Sequence, residues 1–464
     1  MAILEPTFTT PQKLRFGTKL AYGAGDLGPA IVVAISGFFL NAFLLDVAGL
    51  RPVAAGAIFL IVKVWDGVND PLIGFLTDRT HTRWGRRRPW LLFGAVPFGL
   101  AFFLHWLVPD VGPAGKFWYY LIVALLLDTA FTAVNVPYAA LTPELTQDYD
   151  ERTNLHTYRA SFSILGSTFA AFFHGLIAGS YDNVLVGNAV SAAIWAFFIT
   201  ASTLVTFAYT RETFFQRPAS EELGFLDGLR LVFSNRPFLF VTTIYLLSWL
   251  CVQFVQANLL LYVRYWVKAE EHFAFLILAV QLSTFVFILI WSRLSQRTGK
   301  KTVYYIGMSI WIVVAIALFF VQPGQVTLLY FLAGLAGAGV SIAFLIPWSM
   351  LPDVIELDEL KTGRRREGIY YGFFVFLQKL GISLGLAFSN FVLEAAGYIT
   401  PPAGGPFPGQ PAGVLLALRT FVSLAPVAIL LISFPVVHRY PITREKHAEI
   451  RAELAKKTTT DLQG

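Results

Sequence analysis

Twelve apolar stretches, each long enough to cross about 30 Å of hydrocarbon as a helix, dominate this chain of 464 residues. They run approximately over 18–45, 53–77, 89–108, 117–141, 158–180 and 187–209, then over 237–263, 273–293, 302–321, 327–351, 368–393 and 413–437. No other feature limits the fold so strongly. In lipid every backbone N–H and C=O must find a partner inside the protein, so each stretch reads as a helix. A membrane β-barrel would show alternating apolar and polar positions, whereas these runs are continuous. Charged residues make up only 14% of the chain and hydrophobic ones 56%. A soluble protein carries about a quarter charged residues to keep its surface wetted. The expected class is therefore an all-α membrane protein, and a soluble enzyme, a disordered scaffold and a coiled coil are excluded.

The loops set the orientation. Placing both termini on one side puts the basic segments 78–88, 210–236, 293–301, 352–367 and the C-terminal tail on that side. The opposite side keeps only Arg51, Lys116, Arg264 and Lys268. The positive-inside rule then places both termini in the cytoplasm of an inner (plasma) membrane protein. It also accounts for the net charge of +6 without a nucleic-acid partner. Residues 1–17 hold no apolar core, so no cleavable leader is expected. Cys251 stands alone and forms no intramolecular disulfide.

The chain looks duplicated. Gly74-Phe-Leu-Thr-Asp78-Arg79 and Gly85-Arg86-Arg87-Arg88 follow span 2; Trp291-Ser-Arg293 and Arg297-Thr-Gly299-Lys300-Lys301 follow span 8. Both are basic, glycine-bearing turns at matching places in a six-helix half. The division predicted is 1–209 for the first half, 210–236 for a cytoplasmic linker and 237–464 for the second half with its tail. Two parallel six-helix repeats are the major facilitator arrangement of transporters.

Ionisable residues inside the spans carry the chemistry, because each costs about 2.5–3.5 kcal/mol at the bilayer centre on insertion scales. Span 1 holds Asp26, and span 2 holds Lys63, Asp66, Asn69 and Asp70. Asp66 and Asp70 lie four apart, on one helix face and about 6 Å apart along the axis. Two carboxylates and an amide form a hard-oxygen environment suited to Na⁺ or to a shared proton. The alternative is a structural ion pair between Lys63 and Asp66. Lys379 is an isolated cation a dozen positions into span 11, deep for a snorkelling lysine. With Asp26 from the other half it would make an acid–base pair able to bond substrate. Arg159, near the start of span 5, reads equally as an anchor or a substrate contact. Asp78 and Arg79, beside the basic turn, are expected to gate.

Other patterns carry less. Gly23-Ala-Gly-Asp-Leu-Gly28 matches GxGxxG but sits in a membrane helix with no βαβ unit around it, so it is no nucleotide site. Gly381-Ile-Ser-Leu-Gly385 predicts a close helix–helix approach. The seven histidines show no metal-ligand spacing.

Three segments go further. Asp66-Gly-Val-Asn69-Asp70-Pro-Leu-Ile-Gly74 with Arg83-Trp-Gly-Arg-Arg-Arg-Pro89 is one; Asn135-Val-Pro-Tyr138-Ala-Ala-Leu141 with Glu151-Arg152-Thr is another. Asp353-Val-Ile-Glu356-Leu-Asp358, with Thr362-Gly363-Arg364 and Glu367-Gly368, is the third. Together they resemble the glycoside–pentoside–hexuronide:cation symporters, the melibiose-permease-like branch of the major facilitator superfamily. The resemblance implies twelve transmembrane helices in two six-helix halves and a cation site at Asp66, Asn69, Asp70 and Thr132. It implies substrate positions at Asp26, Asn135, Arg159 and Lys379. Asn135 and Ala139 depart from the pattern, standing where galactoside carriers have an acid and a tryptophan. Members of the branch also carry lysolipids.

The function expected is cation-coupled symport of a sugar or glycoside, with Na⁺ or H⁺ left open and no cofactor beyond the coupling ion. The alternatives are a carrier of a lysolipid or other amphiphile, and a non-transporting membrane sensor. A monomer embedded in the bilayer, not an enzyme, is expected.

Overall fold

A computed structural model describes residues 13–213, 225–364 and 366–461 of the chain. Among the described residues twelve helices are long and apolar enough to cross a membrane. They are α1 (Phe16–Leu40), α2 (Pro52–Arg79), α3 (Arg88–His105), α4 (Pro113–Ala139), α5 (Asp150–Gly179), α6 (Val184–Tyr209), α7 (Arg236–Val267), α8 (Glu270–Thr298), α9 (Lys300–Phe320), α10 (Val326–Thr362), α11 (Glu367–Ala395) and α12 (Ala412–Arg439). Every predicted span is present.

Two boundaries differ from the sequence reading by more than five residues, each for a local reason. α5 starts well before residue 158, because the Asp148 carboxylate caps it by accepting the Glu151 N–H at 2.8 Å. Its first turns are polar and leave no hydropathy signal. α10 continues through Pro347 and Pro352 to Thr362, ending at Gly363 with φ +67°. Proline is tolerated in a membrane helix where neighbours satisfy the freed carbonyl. Residues 214–224 of the predicted linker lie outside the described residues, and Phe225–Ser234 forms a further helix. A last helix, Arg444–Asp461, follows α12.

The described residues fall into two compact units, one within Met1–Ser36 and Val64–Ser220, the other within Gly37–Lys63 and Glu221–Gly464. In the first, α1 packs on α5 and α6, and α3 packs on α4 and α6. α1 is interrupted at Asp26, between Phe16–Ala24 and Leu27–Ile35. In the second, a core of apolar side chains joins α7, α9, α10 and α12 around Trp311, Tyr304 and Ile342. The predicted close approach is there: a Cβ on Gly385 of α11 would lie 2.3 Å from Leu250 of α7. Apolar side chains also face outward, Phe197 at 67% exposed and Val313 at 65%, as lipid-facing helices require.

Arg264, read from sequence as a loop cation, lies inside α7. It pairs with the fully buried Asp46 and with Glu270. Asp46 also accepts the hydroxyls of Tyr265 and Tyr398. Burial pushes the Asp46 carboxyl above the usual carboxylate range, against the pull of Arg264. The hydropathy reading had closed span 1 just before this acid.

Candidate functional site

The first unit brings the four expected cation-site residues together on two helices, α2 and α4. Asp66 and Asn69 are buried, and Asp70 is half-buried. Thr132 of α4 donates its hydroxyl to Asp70 Oδ1 at 3.0 Å. Pro71 follows Asp70 inside α2 and has no N–H for the carbonyl of Gly67, the residue next to Asp66. Two carboxylates, an amide, a hydroxyl and a freed carbonyl are the hard oxygen donors that a small cation takes. Lys63 lies one turn earlier on α2 but falls in the second unit.

Sequence reading missed one member of this neighbourhood. Asn69 Nδ2 donates to Asp128 Oδ2 at 3.4 Å and to the Asp128 carbonyl at 3.5 Å. Asp128 was legible as an acid inside the apolar run Leu125-Leu126-Leu127-Asp128, the same signal that marked Asp66.

A second polar group is built by α1, α4 and α5. Arg159 Nε donates to Asp26 Oδ1 at 3.0 Å, so the arginine is a partner of a membrane acid and not a surface anchor. Within its own unit, the base that pairs with Asp26 is Arg159. Arg159 also lies 5.1 Å from the Tyr138 ring centroid. Tyr138 stacks on Tyr22 at 5.0 Å and donates its hydroxyl to the Tyr22 carbonyl at 2.7 Å. Both tyrosines are completely buried. Asn135 is half-buried and Ala139 exposed on the same stretch of α4. Lys379 sits on α11 in the second unit, where Ser383 donates to its carbonyl at 3.1 Å.

The expected gating residues lie at the end of α2. Asp78 pairs with Arg87, and Arg79 places its guanidinium 3.8 Å from the Phe75 ring centroid. Two acids complete this corner. Arg86 donates to Glu144 at 2.5 Å. Burial raises the Glu144 carboxyl above its ordinary range, and the Arg86 hydrogen bond opposes it. Glu212 accepts the backbone N–H groups of Arg86, Arg87 and Arg88 at 2.6, 2.7 and 2.8 Å, a carboxylate seated on the start of α3. Gly85 makes that possible, with φ +105° and a Cβ position 2.4 Å from the Glu212 carboxyl carbon. Gly85→Ala is therefore expected to destabilise the protein by about 1–3 kcal/mol. A thermal melt in detergent checks this, and an unchanged midpoint would contradict it.

A profile of the family described as MFS/sugar transport protein matches residues 21–444. The chain belongs to that family. Among its relatives, an uncharacterized symporter, sll1374, of Synechocystis sp. is 39% identical, over 96% of this chain and 97% of that one. A sodium-dependent lysophosphatidylcholine symporter 1-A of Danio rerio is 31% identical, over 92% and 86%. Solved structures agree on the major facilitator fold. The nucleoside transporter NupG superposes with a TM-score of 0.66 at 15% identity, covering 90% of this chain and 98% of that one. A bacterial homologue of the lysosomal transporter Spinster gives 0.65 at 13%, covering 95% and 96%.

Proposed function

We propose that this family member is a Na⁺-coupled symporter whose substrate is an amphiphile with a charged head group, of lysophospholipid type. The observation that carries the substrate class is the Asp26–Arg159 pair beside two fully buried tyrosines. A sugar carrier needs an aromatic face free to pack on the pyranose ring. Here the tryptophan position is Ala139, and Tyr138 and Tyr22 spend their faces on one another and on Arg159. What remains is a guanidinium for a phosphate and a carboxylate for a cationic amine. The Danio rerio relative, named for lysophosphatidylcholine, supports the same class.

Na⁺ is favoured over H⁺ by the neutral oxygens. A proton needs only one carboxylate, whereas Thr132 and Asn69 add donors that only a metal cation uses. The sodium dependence in that relative's name agrees. The two sites share α4: Thr132 and Tyr138 are six residues apart, about 9 Å along the axis. Na⁺ bound at Asp66 and Asp70 offsets one of their two negative charges, beside the Thr132 contact on the helix that also carries the ring Arg159 rests on. Coupling requires only that each ligand bind better in the presence of the other. Alternating access would complete the cycle, with both termini in the cytoplasm as the basic loops predict.

The sugar reading retains one supporting feature, since an acid and a base can also bond hydroxyls. A binding screen of lysophospholipids and glycosides on purified protein, with and without Na⁺, separates the two. Na⁺-enhanced lysophospholipid binding is expected. Na⁺-enhanced glycoside binding with none to lysophospholipid would overturn the substrate class.

A further inference from the structure

We propose that Asp128 is a positioning residue of the cation site: it holds the amino end of the Asn69 amide, so that the carbonyl oxygen is presented to Na⁺. The inference rests on the Na⁺ site described above and adds a residue to it.

Side-chain bonds stitch α2 to α4. Trp65 Nε1 donates to Thr129 Oγ1 at 2.9 Å, Asn69 to Asp128, and Thr132 to Asp70. Asp128 and Thr132 are four apart on α4, just as Asp66 and Asp70 are on α2, so each helix presents two positions one turn apart. Asn69, 1% exposed, precedes Asp70 on α2 and reaches Asp128 on α4. An amide can point either end at a neighbour, and only one end ligates a cation. A carboxylate only accepts, so facing Asp128 forces the amino group toward α4. The Asp128 main-chain carbonyl takes the same amino group at 3.5 Å, reinforcing that orientation. The oxygen of Asn69 is left as an acceptor.

Asp128 acts through Asn69 and is not itself a ligand. Among the described residues no three acidic, histidine or cysteine side chains converge in a way that would hold a metal ion. An acid in an apolar run of a span also carries an insertion cost and so calls for a role.

Equilibrium binding of radioactive Na⁺ to the purified protein tests this without transport. Asp128→Ala should weaken Na⁺ binding at least tenfold. Asp128→Asn, which can still accept from Asn69, should stay within about threefold of wild type. Asn69→Ala combined with Asp128→Ala should be no weaker than Asn69→Ala alone, because both remove one arrangement. Asp128→Leu, branched at the same carbon and suited to lipid, replaces Asp128→Ala if that variant misfolds, with the same expectation. Wild-type Na⁺ affinity in Asp128→Ala or Asp128→Leu would overturn the proposal, as would additive losses in the double variant. Equal loss in Asp128→Asn and Asp128→Ala would make the charge, not the positioning, responsible. If Asp70→Asn loses Na⁺ while Asp128→Ala keeps it, only the role of Asp128 falls. Absence of Na⁺ binding in the wild type would remove the Na⁺ reading and this inference together.

Discussion

Asp70→Asn should abolish Na⁺-driven accumulation of substrate while leaving the purified protein helical and monodisperse. The substitution keeps the shape of the side chain and still offers an oxygen to the Thr132 hydroxyl, which lies 3.0 Å from Asp70 Oδ1. It removes one of two negative charges that α2 presents on one face. A cation held by two carboxylates and neutral oxygens loses more than tenfold in affinity when one charge goes, about 1.4 kcal/mol or more. Removing a charge from a membrane helix also relieves an insertion cost, so folding should not suffer. Flux into proteoliposomes under an inward Na⁺ gradient, compared with downhill flux without Na⁺, gives the measurement. Accumulation at the wild-type level with the same Na⁺ dependence would remove Asp70 from the site.

The second large effect is expected at the Asp26–Arg159 pair, and it separates stability from binding. Arg159→Ala leaves Asp26 without its ion-pair partner at a site where the acid side chain is only 12% exposed. Breaking a buried pair on one side costs about 3–5 kcal/mol, and the 27% exposure of Arg159 places this pair toward the lower end. Asp26→Ala should cost a similar amount for the mirror reason. Combining Asp26→Ala with Arg159→Ala should recover most of the thermal stability, since neither charge is then stranded. Binding should behave differently. Each single variant and the double variant should bind lysophospholipid at least tenfold more weakly, because the head group loses its phosphate partner, its amine partner or both. Additive melting losses would contradict the pairing. Restored binding in the double variant would contradict the substrate role.

The fold was legible because lipid removes most alternatives. Long apolar runs leave backbone groups no solution but the helix, and all twelve runs became spans. What hydropathy could not show lies at the helix ends. The first turns of α5 and the last turns of α10 are polar helix beyond the apolar window, set by the Asp148 cap and the Gly363 terminus. The candidate site was legible for a related reason: an acid inside a span is costly, so Asp26, Asp66 and Asp70 stood out as single letters. Their partners stood out less. Asp26 meets Arg159 across 133 positions of sequence, and periodicity within one helix says nothing about which other helix it faces. Glu212, seated on the backbone of Arg86 to Arg88, had no sequence signal beyond the glycine that makes room for it. Asp128 did carry the signal, an acid after three leucines, but its role depends on Asn69 of another helix, which periodicity within α4 cannot show.

Substrate-dependent Na⁺ entry tests the central claim most directly. Protein reconstituted into Na⁺-free liposomes is placed in radioactive Na⁺, and Na⁺ uptake is followed after adding a lysophospholipid or a glycoside. The account predicts rapid Na⁺ entry on adding lysophospholipid, none on adding glycoside, and none in Asp70→Asn. Lysophospholipid crossing the bilayer through the protein with no accompanying Na⁺ would contradict it.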